Sequence, residues 1–410
     1  MITADSTPLP PHARLIARPD VWMEGDAIVQ FARVAAYEGC VRAVAMPDLH
    51  AGRGIPLGAA FAFDNRVVPQ LIGGDAGCGV RVVVTSASRM SVDTIERRAR
   101  AAMEEDVIEG CDKAELFEAV WRGGTRALAE VSGIDGSIAR LAAEEPEVVV
   151  RPSGDPAPFR AGFEEALGTA GGGNHFVEIA RVAEVRDEAA AAALGIARNS
   201  LCVVAHTGSR GLGGALARRW GDATLSGEAM EKYLGELAGA CRFARANRFL
   251  LAHRMLRALG CARASTLTGG FDVTHNDVAL EPLAGGEAWV HRKGAAPARG
   301  SDLTIVLGSR GAPSWILRSK DCEEGLRSVA HGAGRRMGRS EALAKLKSKY
   351  KRAEVTRTAL GGRVVCADPS LLFEEHPDAY KPIEPVVESL VEANLADPVA
   401  ALIPVVTVKQ

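Results

Sequence analysis

The chain has 410 residues, 47% of them hydrophobic and 24% charged, which allows a large buried core without disulfide staples. A formal net charge of -2 excludes a continuous nucleic-acid-binding coat while leaving room for a local basic groove. No run of about 18 apolar residues could span a bilayer, and eight cysteines without CxxC pairing predict a cytoplasmic chain.

After a polar, proline-rich start, residues 25–36 have the spacing of an amphipathic helix, and 40–45 read as a strand leading into Met46-Pro47-Asp48-Leu49-His50. Asp48 and His50 either join a site or serve as a turn cap and a surface imidazole. Apolar segments at 59–63 and 67–72 read as strands that enter Gly73-Gly74-Asp75-Ala76-Gly77-Cys78-Gly79. Its four glycines let the backbone fold tightly enough for Asp75 and Cys78 to face one centre. A hard oxygen beside a soft sulfur suits a transition ion, and the lack of a CxxC pair argues against a zinc ribbon. Taken alone, the stretch would equally suit a buried thiol beside a capping aspartate.

Residues 91–130 are helical in pattern, with Asp93 and Glu96 at capping-box spacing and a break at Gly123-Gly124, and 148–158 read as an exposed loop. The run Gly171-Gly172-Gly173 precedes Asn174-His175-Phe176-Val177-Glu178, where a strand begins and His175 takes a ligand or base position. A strand at 201–205 ends in His206 and the loop Thr207-Gly208-Ser209-Arg210-Gly211, whose amides, hydroxyls and arginine are phosphate-binding groups. The helix at 230–259 carries Arg242, Arg245, Arg248, Arg254 and Arg257 and reads as a solvated charged face. A strand at 271–276 delivers His275 and Asn276. Three strand-end histidines with Asp75 and Cys78 make five donors, enough for two ions that share a ligand.

Further on, Arg292 and Lys293 reach a glycine turn, and a strand at 303–307 enters Gly308-Ser309-Arg310-Gly311-Ala312-Pro313-Ser314. His331 stands before Gly332-Ala333-Gly334 and what reads as a helix N-terminus, a position from which an imidazole can attack phosphorus. Arg335, Arg336, Arg339, Lys345, Lys347, Lys349, Lys351 and Arg352 then stand against Glu341. That stripe is either a solvated face or, beside a phosphate-binding loop, a contact for an RNA or DNA backbone. The chain closes on a helix to about residue 395 and an apolar strand at 401–408 that would carry the Lys409 ammonium into the fold. Strands and helices interleave without a regular βαβ repeat, so the expected class is α+β, a mixed-sheet core with surrounding helices.

Taken in order, MPDLH, GGDAGCG, GGGNHFVEI, HTGSRG, THN, HRKGA, GSRG, HGAGR, AYK and VKQ make the sequence resemble the RtcB family of GTP-dependent RNA ligases from about residue 20 to the end. The resemblance implies one domain over 1–410 with a loose N-terminus over 1–19. It implies the metal ligands Asp75, Cys78, His175, His206 and His275, with Cys78 bridging two manganese ions, and the nucleophile His331, guanylylated by GTP. The guanylate contacts it implies are Asn174, His175, Phe176, Val177, Glu178, His275, Asn276, Leu307, Gly308, Ser309, Arg310, Ser314, His331, Gly332, Ala333, Gly334 and Lys409, with Tyr380 a weaker candidate. The implied reaction joins an RNA 3′-phosphate or 2′,3′-cyclic phosphate to a 5′-hydroxyl, as in tRNA splicing or RNA repair. RNA and GTP are the implied partners of a monomeric, membrane-free chain, and the sequence does not fix whether the separate activator archease takes part.

Two segments, MPDLHAGRGIPLGAAF and LLFEEHPDAYKPIEPVVESLV, are most similar to the release-factor-H-coupled branch, which implies a broken structured RNA such as ribosomal RNA as substrate. One block departs from the family pattern. Where the family has Pro-Gly-Ser-Met-Gly, this chain has Leu307-Gly308-Ser309-Arg310-Gly311, which puts an extra cation at the guanylate loop and bears on nucleotide preference. Two other functions compete with ligation. A metal-dependent phosphohydrolase that opens cyclic phosphates would need Asp75, Cys78 and the histidines but not His331 or Lys409, and a silent RNA-binding protein would need none of them.

Overall fold

A computed structural model describes residues 8–88, 90–146, 151–160 and 162–409. Its framework is two sheets packed face to face. The smaller has the strand order Ala13–Leu15, Cys40–His50, Leu57–Phe63, Gly286–Lys293 and Asn276–Leu283. The larger runs Leu303–Val306, Ser314–Ser319, Ala396–Lys409, Phe176–Val185, Leu201–Thr207, Gly79–Thr85 and Leu267–Thr274, with Arg363–Cys366 also paired to Ala396–Lys409. Pairing is antiparallel except for Ala13–Leu15 with Cys40–His50 and Arg363–Cys366 with Ala396–Lys409. This is the mixed-sheet α+β class expected from the sequence.

Strand periodicity explains the layering. Alternate residues point to opposite faces, so Val44 and Met46 of the small sheet meet Val82, Val84, Val182, Cys202 and Val204 of the large one. The outward residues Ala43, Ala45, Phe61 and Phe63 lie under Ile28, Phe31 and Val34 of the helix Gly25–Ala35. On the far side of the large sheet, Val83, Val203 and Ala205 pack against Leu251, Met255 and Leu256 of the helix Gly227–Leu259, which ends at Gly260 in the left-handed conformation. Runs such as Leu201–Thr207 are therefore buried on both faces and read as continuous apolar stretches.

Several expectations are corrected. Residues 67–72 form no strand: Val67 makes a single bridge to Leu225, and Pro69, which has no amide to donate, starts the short turn Pro69–Leu71. Ser91 caps the helix Val92–Glu104 through its hydroxyl, in place of the Asp93/Glu96 box, and Glu96 pairs instead with Arg100. The break at Gly123-Gly124 is present, with Gly124 at φ 66, but a second one separates Val92–Glu104 from Lys113–Gly123. Of the expected loop at 148–158, residues 148–150 lie outside the described residues, and a short helix, Ala157–Arg160, begins at its end. The expected loose start, of which 1–7 are not described, contains the paired strand Ala13–Leu15.

His331 does not stand at a helix N-terminus. It follows the short strand Ser328–Ala330, and the next helix, Arg339–Lys349, begins only after a loop over 332–338. The long helix is no solvated face either. Arg248 and Arg254 are buried within it, because it runs between the large sheet and a cluster of helices.

Candidate metal and nucleotide site

The site begins with the glycine loop before Gly79–Thr85. Gly77 has φ 73, and a side chain there would come within 2.9 Å of the Cys241 backbone on the long helix, so only glycine lets the loop lie so close. The Cys78 amide closes onto the Asp75 carbonyl at 3.1 Å, which makes the turn. The strands Leu201–Thr207 and Leu267–Thr274 flank Gly79–Thr85, with Phe176–Val185 beyond the first. His206, His275 and His175 sit at the same end of these three neighbours and converge on the loop.

Cys78 Sγ lies 3.5 Å from His175 Nε2 and 3.4 Å from His206 Nε2. His206 Nε2 is 3.4 Å from His275 Nε2, and His175 Nε2 is 3.1 Å from Asp75 Oδ2. The donors fall into two groups that share the thiol, Asp75–Cys78–His175 and Cys78–His206–His275, each within 4.8 Å. Burial and the neighbouring imidazoles hold His206 and His275 well below the usual histidine range, so their lone pairs are available. Burial, reinforced by Asp75, lifts the Cys78 thiol well above its ordinary value. Burial also opposes ionisation of Asp75, but His175 outweighs it and holds the carboxyl below the usual carboxylate range. The set can hold metal, since a cation at the centre would reverse the thiol's shift, and the two groups have Cys78 in common.

Arg248, fully buried, holds this arrangement in place. It forks onto Asp272 at 2.9 and 2.7 Å and donates from Nη1 to the carbonyls of Gly77 at 2.8 Å and Thr207 at 2.9 Å. One side chain thus ties the metal loop to the strand end that carries His206. Asn276 does the same on the other side, donating to Asp75 O at 2.9 Å and accepting from the Gly294 amide at 2.7 Å.

His331 stands next to the cluster, with its ring 4.7 Å from that of His275 between centroids. Gly294, at φ 64, leaves room for the ring: a side chain there would come within 2.9 Å of His331 Cε1. His331 Nδ1 is 2.7 Å from Oδ2 of the wholly buried Asp48. Lys381 fixes the Asp48 backbone by donating to the carbonyls of Pro47 at 3.0 Å and Leu49 at 2.7 Å. The backbone after His331 is clamped to Leu307, whose carbonyl accepts from Ala333 N at 2.9 Å. With Nδ1 engaged by Asp48, Nε2 is the nitrogen left for chemistry.

The five donors, Asn276 and His331 open on one cavity of about 790 Å³. Asp75, Cys78, Asn174, His175, Phe176, Glu178, His206, His275, Asn276, Leu307, Gly308, Ser309, Arg310, Ser314, His331, Gly332, Ala333, Gly334, Tyr380 and Lys409 line it. Val177 does not: its side chain alternates to the other face of the strand and packs in the core against the long helix. Arg210 is also outside the wall, turned onto Thr169 at 3.2 Å and the His175 ring at 3.4 Å.

At the far end of the cavity burial raises the Glu178 carboxyl to about 7, and Thr407 donates to it. Burial also lowers the Lys409 ammonium to about 8, and it donates to Gly173 O at 2.9 Å and His175 O at 2.8 Å. Tyr380 donates to Glu375, which also takes Arg335 at 3.1 Å. Arg310 is buried and donates to the Leu372 carbonyl at 2.6 Å, so its guanidinium is anchored to the wall.

The basic stripe is partly neutralised. Lys345 pairs with Glu341 and Lys349 with Asp378, whereas Arg339 reaches the cavity and Asn174. Residues that sequence reasoning passed over are Glu375, Thr407 and Arg53 in the cavity wall, together with Lys293, which burial lowers to about 8 beside Asp75. Only Lys293 carried a signal, as half of a cation pair at a glycine turn.

The profile of the family described as "RtcB: tRNA-splicing ligase RtcB" matches residues 30–226 and 222–410. The chain is 36% identical to RNA-splicing ligase RtcB2 of Escherichia coli, over 98% of this chain and 97% of that one. It is 30% identical to RNA-splicing ligase RtcB of Mycobacterium tuberculosis, over 93% of this chain and all of the relative. It is 29% identical to tRNA-splicing ligase RtcB of Archaeoglobus fulgidus, over 93% and 90% of the two chains. With a family match over most of its length and relatives aligned nearly end to end, the chain belongs to the RtcB family.

Proposed function

We propose that this protein is an RNA ligase that joins an RNA 3′-phosphate or 2′,3′-cyclic phosphate end to a 5′-hydroxyl end, with GTP as the activating nucleotide and two manganese ions as cofactor. The observation that carries this reading is His331, held by buried Asp48 next to five convergent donors that share Cys78. A phosphohydrolase would use the donors but would have no need of a buried carboxylate that aims a neighbouring imidazole. Asp75, Cys78 and His175 would hold one ion and Cys78, His206 and His275 the other; once bound, the ions would neutralise charge developing on the phosphates.

Asp48 takes the Nδ1 proton of His331 as a hydrogen bond, which leaves the Nε2 lone pair to attack the α-phosphorus of GTP. A nitrogen–phosphorus bond forms, pyrophosphate departs, and GMP stays on His331. Water opens a cyclic phosphate to a 3′-phosphate and a free 2′-hydroxyl. An oxygen of that 3′-phosphate bonds to the guanylate phosphorus as the bond from it to His331 Nε2 breaks, and a 5′-hydroxyl then bonds to the 3′-phosphorus and displaces GMP. Glu178, Ser314 and Lys409 are assigned to the guanylate. Exposed Arg336, Arg339 and Lys347 are assigned to the RNA backbone, so that binding weakens as salt rises. The branch resemblance extends the proposal to broken structured RNA, ribosomal RNA in particular, as substrate; clear preference for cleaved tRNA halves over nicked ribosomes would overturn that extension.

The deciding experiment is incubation with α-labelled GTP and manganese followed by denaturing separation. Acid-labile label on the wild-type chain and none on His331→Ala is the expected result, with RNA binding by the variant nearly intact. Equal labelling of both chains would remove His331 from its role.

A further inference from the structure

The Asp48 end of the strand Cys40–His50 holds two imidazoles, and the reading above uses one of them. His331 Nδ1 meets the Asp48 carboxylate, while His50 Nδ1 lies 2.8 Å from the Asp48 main-chain carbonyl. A carbonyl only accepts, so Nδ1 of His50 carries the proton and Nε2 keeps its lone pair. Burial keeps the imidazole neutral by lowering it to about 4, against the opposing pull of Asp48 and with help from His331 and Lys381. His50 lines the central cavity at 8% exposure, and the hydrogen bond its ring makes among the described residues is the one at Nδ1.

The ring is on a rigid support. Gln30 brackets the backbone two residues on, donating to Gly52 O and accepting from Gly52 N, both at 3.0 Å, and Arg33 donates to Gly54 O. Around the same cavity stand the donors Arg53, Lys293, Arg335, Arg339 and Lys409. Those cations suit phosphates. A neutral nitrogen that can only accept does not, and the group on an RNA end that donates to it is a hydroxyl.

We propose that His50 is a further catalytic residue, the proton acceptor for the 5′-hydroxyl of the incoming strand in the sealing step. The assignment rests on the ligase reading. In that step the 5′-oxygen bonds to the 3′-phosphorus and the bond from that phosphorus to the oxygen of GMP breaks. GMP leaves with the electron pair. The hydroxyl proton passes to His50 Nε2 and then to solvent. His50 has no part in loading GMP onto His331, a step assigned to the Asp48–His331 pair, the metal end of the cavity and the guanylate contacts Glu178, Ser314 and Lys409.

The test separates the two steps. Wild type, His50→Ala and His50→Gln are given α-labelled GTP and manganese to read the label on His331. In parallel they are given an RNA whose 3′-phosphate already carries GMP, together with a 5′-hydroxyl strand, to read sealing alone. Both variants are expected to take label near the wild-type rate and to seal at least about 100-fold more slowly, the usual scale of general-base catalysis. Imidazole in the medium should restore part of the sealing by His50→Ala, which a packing defect would not allow. Unchanged sealing would overturn the assignment. So would parallel loss of label and sealing, which would place His50 with the Asp48–His331 pair, or a loss confined to opening of cyclic phosphates. Absence of label on the wild-type chain would instead remove the ligase reading, and this assignment with it.

Discussion

At the metal end of the cavity five donor atoms are aimed at one another, whereas at the other end Glu178, Ser314, Tyr380 and Lys409 are already bonded to protein. The two ends make different demands on the fold. In the first the side chains bond mainly to one another, and Arg248 and Asn276 fix the backbone behind them. The second is stable by itself and must exchange internal hydrogen bonds for bonds to a ligand, each worth only about 0.5–1.5 kcal/mol net. Substitutions at the metal end should therefore have larger consequences than those at the Glu178–Lys409 end.

The largest effect is expected at Cys78, the donor common to both groups. Cys78→Ala should lower bound metal by more than any single histidine replacement and reduce joining more than about 100-fold, beyond the usual 10- to 100-fold effect of losing a partner that merely orients a ligand. Elemental analysis decides it: unchanged metal content in Cys78→Ala would end the shared-ligand assignment.

Next comes the scaffold. Arg248→Met leaves Asp272 without the fork that pairs it and frees the carbonyls of Gly77 and Thr207. Breaking a buried pair from one side costs about 3–5 kcal/mol, so urea unfolding should show a loss of that order, with metal affinity falling as well. A loss below about 1 kcal/mol with unchanged metal affinity would show that the loop holds its shape without Arg248.

A smaller, pH-dependent effect belongs to Glu178. Burial raises its carboxyl to about 7 in the folded chain, from an ordinary value of 4.5. Between those two values the folded state holds a proton that the unfolded state has released. The stability contributed by this group is complete below about pH 4.5 and is lost as pH rises through 7. Glu178→Gln should flatten that part of the profile, and urea midpoints at pH 5 and pH 8 measure the difference. An equal fall in both chains would assign the slope to other groups.

How much of this was readable in the sequence differs between the same two ends. The metal end was legible because its donors close apolar strands or sit among glycines, and strand order then brings His175, His206 and His275 to one edge. Asp48 was visible only as one half of two readings, since its contact with His331 spans 283 positions in the chain. Glu375 and Thr407 carried no local signal: each is ordinary in sequence and becomes part of the wall only through burial. Arg248 was misread because helical periodicity shows a charged position and not what packs over it. The glycines after His331 resembled the start of a helix, yet backbone bonds to Leu307 hold them in an irregular loop instead.

The smallest effect, and the most specific to this chain, concerns Arg310. The sequence placed an extra cation at the guanylate loop, which would alter nucleotide choice if the guanidinium were free to meet a phosphate or a base. Its Nη2 instead donates to the Leu372 carbonyl, its Nη1 is buried without a partner among the described residues, and burial lowers the group to about 10. A buried donor without an acceptor is a standing penalty, so Arg310→Met, which returns the loop to Gly-Ser-Met-Gly, exchanges an imperfectly satisfied cation for an apolar chain of similar length. Stability should change by less than about 1 kcal/mol, because the lost bond to Leu372 is offset by removal of the unpartnered nitrogen. The ratio of GTP to ATP use should stay within about threefold of wild type, under 1 kcal/mol of discrimination. A tenfold or greater shift in that ratio, measured by labelling His331 with each nucleotide, would show that Arg310 leaves the wall and reads the base.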